Sequence, residues 1–133
     1  MRSLKLFTVL ALASSMMLSS CKTKSAKELI VAKWKVTAVS DDMVEPDRKL
    51  TEQDKKDLID KTTLEFSKEG KCTITSRDAP ETGTYSVSED GKTLIMTQSG
   101  SERSDTMAIS EISGSKLVIS DGRSKMKISL GKQ

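Results

Sequence analysis

Between residues 62 and 97 polar and apolar residues alternate in four short runs separated by turn residues, and this period limits what the chain can fold into. The first run, residues 62–67, ends at Lys68-Glu69-Gly70, and the second, residues 71–76, stops at Arg77-Asp78-Ala79-Pro80. Residues 82–87 repeat the pattern, and Glu89-Asp90-Gly91 leads into residues 92–97. Successive side chains on a strand point to opposite faces. Period two over short runs therefore predicts strands with one dry face, and the short Gly-bearing turns make neighbours antiparallel.

The same rhythm extends in both directions. Residues 28–33 predict a helical turn, and a strand follows over residues 34–39 with Trp34, Val36 and Ala38 on one face. After residue 97 come a turn at Gln98-Ser99-Gly100-Ser101, a long polar strand over 103–112 carrying Met107 and Ile109, and a turn at Ser113-Gly114-Ser115. A strand over 116–120 reaches Asp121-Gly122, a tight-hairpin signal. The last strand sets Met126, Ile128 and Leu130 on one face and Lys125, Lys127 and Ser129 on the other.

Residues 41–61 interrupt the alternation. Glu45-Pro46-Asp47 is a turn, and Thr51 is placed to cap a short helix from Glu52 to Ile59. Leu50, Leu58 and Ile59 give that helix a narrow apolar edge, which suits a cover over a barrel mouth or side. The whole is an all-β chain of eight strands in sequence order. It closes as an antiparallel up-and-down barrel over residues 29–133, with a short helix in the first inter-strand segment; a two-sheet sandwich is the alternative. Meander order needs no crossing connections, which favours closure.

The beginning of the chain has a different character. Arg2 and Lys5 precede an apolar run over residues 6–13, shorter than the roughly 20 residues that span a bilayer. Residues 1–20 therefore predict an export signal. Leu18-Ser19-Ser20-Cys21 resembles the lipobox of bacterial lipoproteins, in which the cysteine becomes the acylated first residue. That resemblance implies a diacylglyceryl thioether and an N-acyl group on Cys21, and two or more chains anchor firmly where one does not. Residues 21–28 then form the acylated start and a polar tether containing Lys22, Lys24 and Lys27. The implied location is the cell envelope, with the barrel in the periplasm or at the cell surface on a membrane-lipid anchor, the outer membrane ahead of the inner. Losing Arg2 and Lys5 brings the 22 basic residues nearly level with the 19 acidic ones, which gives no argument for nucleic acid. Cys72 is left as the sole thiol, without an intramolecular disulfide partner.

Several segments together resemble the bacterial lipocalin-like lipoproteins: Ala32-Lys33-Trp34-Lys35-Val36, Thr63-Leu64-Glu65-Phe66, residues 81–87 and Asp90-Gly91-Lys92-Thr93-Leu94. The resemblance covers nearly the whole mature chain. It implies a small anchored barrel with Trp34 as a plug at one end. Ala32 stands where true lipocalins carry glycine two residues before that tryptophan.

The sequence contains no histidine, so neither a Ser-His-Asp triad nor a Cys-His pair can be assembled, and zinc ligands are short. No enzyme, cofactor or metal is expected. Two binding roles remain. In one, the barrel holds a small hydrophobic or amphipathic ligand against Leu64, Phe66, Ile74, Tyr85, Met96, Met107 and Met126, with no charged residue expected to face inward. In the other, a filled barrel is a scaffold or inhibitor whose loops or outer face bind an envelope protein.

Overall fold

The computed structural model describes residues 24–77 and 79–133; the expected export signal over residues 1–20 and Cys21 lie outside the described residues. Eight strands follow one another: β1 Lys33–Ser40, β2 Thr63–Phe66, β3 Lys71–Ser76, β4 Ala79–Val87, β5 Thr93–Gln98, β6 Ser104–Ile112, β7 Lys116–Asp121 and β8 Lys127–Lys132. Each pairs antiparallel with the next, and β8 returns to β1, so the sheet is a closed barrel in sequence order. Closure leaves no edge strand and decides against the sandwich.

The barrel has two different ends. Strand β1 runs from the end holding the β2–β3, β4–β5 and β6–β7 turns toward the end holding α2 (Glu52–Lys61) and the other three connections. At the first end α1 (Ala26–Leu29) packs beside the β4–β5 turn. There Lys27 Nζ meets Glu89 Oε1 at 2.6 Å, and a Cβ on Gly91 would come within 2.8 Å of Ala26 Cβ. Ile30, Trp34, Leu94, Leu117 and Leu130 are fully buried together. This end is closed by packing.

Helix α2 crosses the other end. Thr51 caps it: its Oγ1 accepts from Asp54 N at 3.1 Å, while Thr51 N donates to Asp54 Oδ2 at 3.4 Å. This reciprocal pair satisfies two backbone donors that a helix start would otherwise leave unpaired. The helix runs two residues beyond Ile59, to Lys61.

Four details depart from the alternation. A bulge at Thr37 shifts the β1–β8 register, pairing Val36 with Leu130 but Ala38 with Ser129. An inserted residue reverses the facing of everything after it, so Ala38 is exposed and Val39 turns inward. A second bulge at Ser110 makes Ile109 and Ile112 share a face in the same way. Strand β4 starts at Ala79, not at Thr82; its first residues pair with β3 alone, where proline's missing N–H is tolerated. Lastly, Asp121-Gly122 does not make a two-residue hairpin. Asp121 N donates to Met126 O at 3.0 Å around a longer loop whose left-handed residue is Lys125, at φ 58°.

Candidate functional site

The inward residues divide between the two ends. At the closed end Trp34 is fully buried, and its Nε1 donates to Ile30 O at 2.9 Å, so the ring's one polar atom is satisfied. Phe66 and Tyr85 stack edge to face nearby, with centroids 4.8 Å apart, and Tyr85 Oη donates to Ser67 O at 2.6 Å. Burial pushes the Tyr85 hydroxyl above its ordinary pKa, and desolvation does the same to the Cys72 thiol. A protonated, buried Cys72 is an inert small hydrophobe.

Above this layer the packing opens. A cavity of about 170 Å³ is bounded by Val36 and Val39 from β1, Leu64 from β2, Ile74 from β3, Met96 and Met107 from β5 and β6, and Ile119 and Ile128 from β7 and β8. Thr62 and Leu58 complete it from the α2 side. No polar atom faces this space. Of the seven lining residues expected from alternation, the structure gathers Leu64, Ile74, Met96 and Met107. Phe66 and Tyr85 belong instead to the closed end. Met126 lies in the β7–β8 connection, half-buried and outside both the cavity wall and the packed core.

The residues that alternation missed have identifiable causes. Val39 enters through the Thr37 bulge, and its signal was the three-residue spacing from Val36. Leu58 arrives on a helix that only tertiary folding sets over the mouth. Val36, Ile119 and Ile128 were legible as inward residues without being assigned to a site.

Ionic contacts on two sides hold α2 in place. Lys55 Nζ lies 2.9 Å from Asp41 Oδ1 at the end of β1, where Asp41 is only 4% exposed. On the other side Arg77, at φ 38° in the β3–β4 turn, reaches Asp57 at 3.0 Å and Asp54 at 3.8 Å. The hydrogen bond from Lys55 holds the Asp41 carboxyl below its ordinary pKa against the opposing effect of burial, and Asp41 raises Lys55 in return. Asp57 is lowered chiefly by the hydrogen bond from Gln53, then by Lys61 and Arg77.

Among the described residues no charged side chain lines the cavity itself, but two carboxylates stand at its mouth on the same face of the sheet. Asp105 stands directly opposite Met96 in the β5–β6 ladder, and Asp121 directly opposite Met107 in the β6–β7 ladder. Directly opposed residues share a face, so both carboxylates lie on the methionines' face, at the mouth rather than in the core.

A family model described as a lipocalin-like domain matches residues 30–119. Among solved structures, the chain is similar to a DUF4847 family protein from Bacteroides vulgatus ATCC 8482. The TM-score is 0.55 at 14% sequence identity, covering 79% of this chain and 96% of that one. At that identity the likeness shows the fold alone. No curated protein matches.

Proposed function

This chain belongs to the lipocalin-like domain family, and from that premise we propose that it is a binding protein whose barrel holds a small apolar or amphipathic molecule beneath α2. The observation that carries this reading is the apolar cavity of about 170 Å³, which opens toward the barrel mouth. An apolar cavity of about 150 Å³ engineered into another protein stays empty of water and accepts benzene. A space of this size and lining therefore suits one ring or a short hydrocarbon chain. Met96 and Met107 have three rotatable side-chain bonds each and adapt their shape to what lies against them. A filled interior would have supported the scaffold reading; the cavity favours the carrier.

The same proposal includes the anchor. Lipobox-like residues 18–21 support acylation of Cys21, and α1 enters at the closed end, opposite the mouth. A protein held at that end presents the mouth and α2 away from the membrane.

The test is a methyl NMR titration of the full chain with benzene and with 1-octanol. The Met96 and Met107 methyl resonances are expected to shift with saturation, and Met96→Trp, which fills the cavity, is expected to abolish uptake. Unmoved methyls, or equal uptake by Met96→Trp, would overturn the carrier reading.

A further inference from the structure

The two methionines that line the cavity also border a second space. A groove of about 550 Å³ at the barrel mouth is bordered by Met96 and Met107 together with Ser104, Asp105, Thr106, Asp121 and Arg123. Apolar cavity and mixed groove thus share two lining residues, the most adaptable side chains in the site. Across the register, each methionine has a carboxylate opposite it, Asp105 for Met96 and Asp121 for Met107.

The two carboxylates differ in how they are held. Asp121 Oδ1 accepts from Arg123 N at 2.9 Å and Oδ2 accepts from Ser124 Oγ at 3.1 Å, which fixes its side chain in the β7–β8 loop. Asp105 is exposed, and among the described residues no basic side chain forms an ion pair with either aspartate. Arg123 is the one basic side chain bordering the groove, against two acidic ones.

We infer that the ligand is an amphiphile with a cationic ammonium head, its short apolar part in the cavity past Met96 and Met107 and its head in the groove between Asp105 and Asp121. This rests on the carrier reading and specifies which molecules it admits. A cationic head left at the mouth of an apolar cavity is favoured by counter-charge beside it, and the two carboxylates border the groove there. Asp121 is already oriented, so little side-chain freedom is lost when it pairs. An anionic head would meet both carboxylates with only Arg123 in its favour. A neutral head would leave the charges in water and gain nothing from them.

The test compares octylamine, 1-octanol and octanoate, one tail with three heads, titrated into the full chain at neutral pH and read by calorimetry and the Met96 and Met107 methyls. Octylamine is expected to bind about tenfold more tightly than octanol, the scale of one charge-assisted hydrogen bond, and octanoate more weakly than either. Asp105→Asn, at an exposed position, is expected to remove the amine's advantage over octanol. Met96→Trp is expected to abolish binding of the amine along with the alcohol. Octanol binding as tightly as octylamine, or octanoate binding best, overturns the head-group inference while the carrier reading stands. Amine binding that survives Met96→Trp is surface adhesion and overturns it too. Binding of none of the three defeats the carrier reading and this inference with it.

Discussion

Trp34 is held at the closed end by more than its own burial. Its ring has no exposed surface, its Nε1 donates to Ile30 O, and its backbone pairs with Leu64 and Lys132 on the two flanking strands. Truncation would empty the largest fully buried side-chain volume among the described residues and orphan a carbonyl. Trp34→Ala is therefore expected to cost about 3–5 kcal/mol in urea denaturation, a large share of the 5–15 kcal/mol typical of a domain. A loss below about 1 kcal/mol, the range of an ordinary surface change, would show that Trp34 does not plug the barrel. The residue scale also explains the failure of Met126 as a lining residue. It keeps phase with Ile128 and Leu130, but it precedes the first ladder pair of β8, and phase positions a side chain only where a strand exists.

Helix α2 is the element through which pH acts. The folded pKa of Asp41 and of Asp57 lies below the ordinary 3.8, so each adds stability that is complete above that value and lost as pH falls through the folded pKa. Lys55 is raised above 10.5, so its contribution is complete below that pH and lost as pH rises through the folded value. Amide protection factors in residues 52–61, taken relative to the intrinsic rate at each pH, are expected to fall below pH 3.8 before those of the barrel strands. Asp41→Asn should shrink that acid response. Lys55→Met should destabilise α2 more than Asp41→Asn, because it leaves a carboxylate buried without its partner, and Asp41 Oδ2 already has no hydrogen bond. Equal effects of the two substitutions, or strands that lose protection together with α2, would count against these ionic contacts as what holds the helix in place. The capped helix was readable from Thr51 and the polar run after it. Its anchoring was not, because Asp41 and Arg77 stand in connections whose meeting depends on closure of the barrel.

For the molecule as a whole, the two ends have different tasks under the proposed reading. The packed end receives the tether from Cys21, and the mouth receives the ligand. Cys21→Ala is expected to move the protein from the membrane fraction to the soluble fraction of lysed cells, with the far-UV dichroism of the barrel unchanged. Retention in the membrane fraction would refute acylation as the anchor.

Strand number, order and antiparallel sense were all determined by the sequence, because period-two patterning and short turns act over a few residues and meander order leaves one simple closure. The residue pattern also picked Leu64, Ile74, Met96 and Met107 as inward-facing, since alternation holds wherever a strand is regular. The cavity itself was decided only in three dimensions. The bulges at Thr37 and Ser110 reset the phase within single strands, bringing Val39 and Ile112 inward and sending Ala38 out. Asp105 and Asp121 share the phase of Met107 and Ile119 along their strands, but only closure of the barrel sets them at the cavity's mouth. Leu58 and Thr62 complete the cavity because α2 folds back across the mouth. Empty volume belongs to no single residue: it is what remains when eight strands and a helix meet, and only their relative placement fixes it.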